Sequence, residues 1–152
     1  KKLDMTSTFL REYGTKDLAA FDFLKDLTTL ELGSNLIGAK GAKYIATSNI
    51  FTHLTSLNLF YNDIGNEGAK YIALSNNLVS LVDLNLSDNN ITDEGAKELA
   101  KYMPLFPNLA KLDLRLNKIK EEGKEALRAA QKLTNLKQLL LDAEEGYQIR
   151  SI

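Results

Sequence analysis

Two apolar spacings alternate along this chain. In "LTSLNLFYNDIGNEGAKYIA", from Leu54, the residues Leu54, Leu57 and Leu59 suit a short strand whose inward face is apolar while Thr55, Ser56 and Asn58 point out. Further on, Ala69, Ile72 and Ala73 lie at i, i+3 and i+4, the stripe of a helix buried on one side. The same two-part pattern occurs in "LTTLELGSNLIGAKGAKYIA" from Leu27, "LVDLNLSDNNITDEGAKELA" from Leu81 and "LAKLDLRLNKIKEEGKEALR" from Leu109, so the starts fall 27, 27 and 28 residues apart. A partial copy, "LKQLLLDAEEG", begins 27 residues later at Leu136. Running the register backwards puts Leu3, Met5, Leu10, Gly14, Leu18 and Ala19 on the same columns, with Thr8 where the other copies have Asn.

A single strand of this kind cannot bury its own apolar face, whereas stacked copies can, each covering its neighbours. The pattern therefore predicts a parallel sheet backed by helices, with Asn35, Asn62, Asn89 and Asn117 forming a structural ladder at the turn after each strand. An amide there offers both donors and an acceptor to backbone groups of adjacent turns. Gly41, Gly68, Gly95 and Gly123 hold one column just inside the helix, read as sites of close approach to the sheet. Leu24, Phe51, Leu78, Leu105 and Leu133 form the expected apolar column of the return leg. The one extra residue falls in "KYMPLFPNL", which carries Pro104 and Pro107. The last copy has Glu144 in place of the column Asn and is read as a terminal cap.

The motif L-x-x-L-x-L-x-x-N-x-I resembles the leucine-rich repeat family, and the repeat length with a helical second half is similar to its ribonuclease-inhibitor-like class. The resemblance implies an α/β leucine-rich repeat solenoid, a curved horseshoe with a parallel sheet on the concave face and helices on the convex face. One domain over 1–152 is expected: a degenerate copy at 1–26, repeats at 27–53, 54–80, 81–108 and 109–135, and a C-terminal partial copy or cap at 136–152. It also implies a non-catalytic module that binds a protein or peptide. Two alternatives come with it: a GTPase-activating regulator resembling Ran-type activators, or the targeting module of a larger enzyme or bacterial effector.

Charge narrows the partners. With 19 Lys+Arg against 20 Asp+Glu the chain lacks the positive field that drives nucleic-acid binding, so no nucleic acid is expected. No run of 18 apolar residues is present, so no membrane partner is expected. Cysteine is absent, which excludes disulfides and thiolate metal sites and favours a cytoplasmic setting, or a host cytosol for a secreted effector. No cofactor or small-molecule substrate is expected either. Gly33 to Gly38 has phosphate-loop spacing, but Ala39 and Lys40 stand where that motif needs Lys and Ser or Thr. Asp93-Glu94 and Glu121-Glu122 open helices, where carboxylates gain from the dipole. His53 is the only histidine and has no recurring partner. Lys43, Lys70 and Lys97 form a basic stripe in which Lys70 and Lys97 follow Glu67 and Glu94 by three residues, read as ion pairs along the helix.

The outward strand positions are the candidate binding surface. Its columns hold Glu31, Asn58, Asn85 and Asp113, then Phe60 and Arg115, then Tyr61, Asp88 and Leu116, with Asp83 on the adjacent outward column. The neighbours of Phe60-Tyr61 in register are Gly33-Ser34, Ser87-Asp88 and Arg115-Leu116, so the repeat itself does not require aromatics there. Exposed aromatics beside Arg and acids have the composition of an interaction hot spot. The competing reading is that Phe60 folds over Gly33 as local filler.

Overall fold

A computed structural model describes residues 1–143. Six three-residue strands lie side by side in chain order as one parallel sheet: β1 Lys2–Asp4, β2 Thr29–Glu31, β3 Ser56–Asn58, β4 Asp83–Asn85, β5 Lys111–Asp113 and β6 Gln138–Leu140. Their middle residues Leu3, Leu30, Leu57, Leu84, Leu112 and Leu139 pair neighbour to neighbour, so the sequence repeat and the sheet register coincide. Five helices alternate with the strands: α1 Arg11–Leu18, α2 Gly38–Thr47, α3 Gly65–Ala73, α4 Asp93–Tyr102 and α5 Glu121–Lys132. The chain is an α/β solenoid.

The core runs continuously between sheet and helices. Leu30, Leu32, Ile37, Ile45 and Phe51 of one coil, and Leu54, Leu57, Leu59, Ile64, Ile72 and Leu78 of the next, are all at most 1% exposed. At about 1.5 to 3 kcal/mol per buried side chain, this covering by neighbours offsets the ordering of short strands that could not stand alone. Polar atoms that enter the core are bonded at Ser75 and Ser48, whereas Glu98 Oε2 is buried without a hydrogen-bond partner among the described residues. Ser75 is 4% exposed, donates to the Ala46 carbonyl at the end of the preceding helix (2.5 Å), and accepts the Asn77 and Leu78 N–H groups at 3.2 and 3.1 Å. Ser48 makes the equivalent bond to Ala19 one coil earlier.

Two packing expectations are corrected. The helical glycines meet their own preceding turn and the previous coil rather than the sheet. A methyl at Gly68 would lie 2.6 Å from Ile64 Cβ and 3.3 Å from Ala42 Cβ, and one at Gly123 would lie 2.6 Å from Asp93 Oδ1 and 3.1 Å from Ala96 Cβ. On the return leg the buried residue is Phe106, 5% exposed, while Leu105 is 47% exposed. The extra residue is absorbed before position 106, in the turn Met103–Leu105 that contains Pro104, so the column is counted from the following strand. Of the proposed terminal copy or cap at 136–152, β6 pairs with β5, and residues 144–152 lie outside the described residues.

Candidate functional site

The solvent face of the sheet is built from four short columns. Its central column also shapes the turn after each strand. Asp4 Oδ1 accepts the Thr6 N–H at 3.0 Å, Asn58 Oδ1 that of Phe60 at 2.9 Å, Asn85 Oδ1 that of Ser87 at 2.9 Å, and Asp113 Oδ1 that of Arg115 at 3.1 Å. Short polar side chains favour this because they can satisfy the backbone two residues ahead. Asn58 and Asn85 are thus structural as well as half-exposed, and Asp113 is structural and buried, roles which sequence reasoning missed although the recurring Asp/Asn column carried the signal.

The residues that follow bend the backbone. Ser7, Ser34, Tyr61, Asp88 and Leu116 all have φ between 53 and 58°. Ser and Asp are small or can bond locally in this left-handed region, whereas a bulky residue there costs about 1 kcal/mol or more. Tyr61 is nevertheless 53% exposed and Leu116 63% exposed, so neither recovers that cost by burial. The adjacent aromatic behaves differently. Phe60 is half-buried, and a methyl at Gly33 would lie 3.7 Å from its Cδ1, so its ring covers the glycine of the previous coil. The Phe60 and Tyr61 rings are 6.0 Å apart, tilted by 38°. Neither points into the interior, and the pair divides into a half-packed ring and an open one.

Charges on this face are largely matched. Arg115 grips Asp113 with Nε to Oδ1 at 3.0 Å and Nη2 to Oδ2 at 2.6 Å. Burial of Asp113, 4% exposed, pushes its carboxyl up, but the Arg115 hydrogen bonds and charge outweigh this and hold it below its ordinary value. Lys111 approaches Asp83 at 3.7 Å and Lys2 approaches Glu31 at 3.9 Å. Glu31, Asn58, Asp83, Asn85, Lys111 and Asp113 line one open depression of about 190 Å³. Phe60, Ser87, Arg115 and Leu116 line a second of about 370 Å³, shared with Asn85 and Asp113. The fold therefore brings the sequence-predicted face residues onto one surface, with Asp88 half-buried beside them.

Beneath this face runs the ladder. Asn62 Oδ1 accepts the N–H groups of Asn35 and Ile37 at 2.9 and 3.4 Å, and its Nδ2 donates to the carbonyls of Leu32, Leu59 and Phe60 at 2.9, 3.0 and 3.1 Å. Asn35, Asn89 and Asn117 make the same backward connections to the coil before each. A family model for the Leucine Rich repeat matches residues 24–46, 52–73, 77–100 and 107–127, more than half of the chain. The chain belongs to the leucine-rich repeat family. No curated protein matches it.

On the helical side of these leucine-rich repeat coils the expected i,i+3 ion pairs do not form. Lys97 binds Glu122 of the next coil at 2.7 Å instead of Glu94, Glu67 accepts the Tyr71 hydroxyl at 3.1 Å, and Lys43 lies 5.4 Å from the Tyr71 ring centroid. Lys97 and Lys43 find their partners one repeat away because adjacent helices pack side by side, while Glu67 is satisfied one turn on in its own helix. The same stacking gives Asn66 and Asp93 a role that sequence reasoning missed: Asn66 Oδ1 accepts the Thr92 and Gly95 N–H groups, and Asp93 Oδ1 those of Lys120 and Gly123. Each thereby caps the helix of the next coil. His53 is exposed, with Nδ1 3.1 Å from the Lys25 carbonyl. Among the described residues no group of three or more His, Cys, Asp or Glu is placed to hold a metal, and no helix is long and apolar enough to cross a membrane.

Proposed function

We propose that this leucine-rich repeat module recognises a protein or peptide through the solvent face of its sheet, with Tyr61 as the central contact. The observation that carries the proposal is that Tyr61 occupies a left-handed backbone position and leaves 53% of its surface in water, so folding gives no reason for an aromatic there. An amphipathic ring presented on rigid backbone is the usual anchor of an interface, and Arg115, Leu116, Asp88, Glu31 and Asp83 supply polar and apolar contacts around it. Phe60 supports the Tyr61 ring from the side. The module acts as a scaffold, in keeping with the interaction role general to the family. Its helical second halves favour the ribonuclease-inhibitor-like class.

Affinity capture with the whole chain and with Tyr61→Ser tests this, using Lys101→Glu on the helical side as control. Loss of the captured protein from Tyr61→Ser alone, with unchanged melting, is the expected result. Equal capture by all three proteins would overturn the assignment.

A further inference from the structure

Ion pairing leaves the sheet face with an excess of one sign. Along its columns the cations are Lys2, Lys111 and Arg115, and each is already held by an acid, Glu31 at 3.9 Å, Asp83 at 3.7 Å and Asp113 at 2.6 Å respectively. The same columns also carry Asp4, Asp88 and Asp142, so the face is net negative. Asp4 and Asp142 are tied to the Thr6 and Leu116 N–H groups. The Asp88 carboxylate has neither an ion pair nor a hydrogen bond among the described residues.

This unmatched charge borders the exposed ring. Tyr61 donates its N–H to the Ser87 carbonyl at 3.1 Å and Asp88 donates its own to the Arg115 carbonyl at 3.0 Å, so the bonding of the sheet continues through the turn and sets Tyr61 beside Asp88. The two share a left-handed backbone, with φ of 53 and 54°. Neighbouring parallel strands lie about 4.8 Å apart, so one long side chain can lie across both residues. Two residues on from Tyr61, exposed Asp63 adds a second carboxylate, its Oδ1 fixed by Asn90 Nδ2 at 2.7 Å. The strands that carry these turns, β3 and β4, are flanked by β2 and β5, so these exposures belong to the repeat surface itself.

We propose that the partner recognised through this face presents a basic, arginine-bearing segment, one guanidinium of which lies over the Tyr61 ring and pairs with Asp88. The inference rests on the recognition role proposed above and adds the chemistry of the partner. A planar cation suits the place because it stacks on an aromatic face, bonds a carboxylate through two parallel N–H groups and is more weakly hydrated than an ammonium. Arg115 already grips Asp113 in this manner on the same face. An acidic segment would meet Asp88, Asp63 and Asp83 with no unpaired cation on these columns to receive it, among the described residues. An apolar segment would strip water from Asp88 and return no hydrogen bond. The net negative columns also steer a basic segment inwards.

Random peptides displayed on phage and selected on the whole chain test the charge preference. The expected binders are rich in arginine and weaken as salt is raised. A synthetic copy of the strongest should bind about fivefold or more weakly to Asp88→Asn, which keeps a residue tolerant of positive φ, and about tenfold or more weakly to Tyr61→Ser. Asn58→Asp should tighten binding by about twofold or more, because Asp4 and Asp113 already hold the same turn and the change adds negative charge. A damaged fold cannot mimic that gain. Acidic or apolar binders that Tyr61→Ser still weakens would overturn the basic partner and leave recognition through the face intact. Arginine-rich binders indifferent to both Asp88→Asn and Asn58→Asp would overturn it too, as would an empty selection, while capture with Tyr61→Ser decides recognition through the face by itself.

Discussion

Asn62 Oδ1 accepts the backbone N–H of Asn35, one coil earlier, at 2.9 Å, and both residues are fully buried. Asn62→Ala removes this bond and those to Ile37, Leu32 and Leu59, stranding backbone groups that water cannot reach. Because an unmade buried bond costs about 1 to 3 kcal/mol, the total loss should be about 3 kcal/mol or more. Urea unfolding measures it, and the midpoint should move much further than for an exposed position such as Asn76→Ala.

The two aromatics should separate stability from recognition. Phe60→Ser uncovers Gly33 and should lower stability by about 1 to 2 kcal/mol, since only part of the ring is buried. Tyr61→Asn places a residue tolerant of positive φ at 53° and should leave stability within about 1 kcal/mol of the parent or raise it. Partner capture should fall with Tyr61→Asn all the same.

Asp113 predicts a pH dependence with a definite sign. Its carboxyl is held below the ordinary value, so the folded chain keeps that charge to lower pH than the unfolded chain does. The contribution is complete above the unfolded value of about 3.9 and disappears as pH falls through the lower folded value. Denaturant unfolding at pH 7 and pH 3 should show a smaller acid loss for Asp113→Asn than for the parent.

Gly95→Ala sets helix propensity against packing. Alanine gains about 1 kcal/mol as a helix former, but its methyl would stand 2.6 Å from Asn66 Oδ1 and 2.8 Å from Ile91 Cγ2. Asn66 cannot swing away without breaking its bonds to the N–H groups of Thr92 and Gly95, so overpacking of about 1 to 3 kcal/mol should win. Thermal melting of Gly95→Ala should fall.

Phe106→Ala should cost about 3 to 5 kcal/mol and Leu105→Ala under about 1, because only the first empties a filled site. Equal losses in urea unfolding would place the extra residue elsewhere in the return leg.

The alternation of Leu54, Leu57 and Leu59 with the stripe Ala69, Ile72 and Ala73 was enough to read strand, helix and stacking, since each burial column repeats about every 27 residues. The face residues were also legible, because parallel register carries one column onto the next. Bonds between coils were harder to read. Asn66 and Asp93 look like ordinary helix-opening residues until the next helix is placed against them, and Lys97 chooses Glu122 over Glu94 only because the coils abut.

Periodicity by itself determined the solenoid, since local spacing dictates which side of each element must leave water and the copies can hide those sides only against one another. Tertiary structure decided which aromatic stays open, which return-leg residue fills the core and which acids are tied to their own turns. Those outcomes depend on ångström-scale distances between segments one repeat apart, and the residue spacing along one copy holds no such distances.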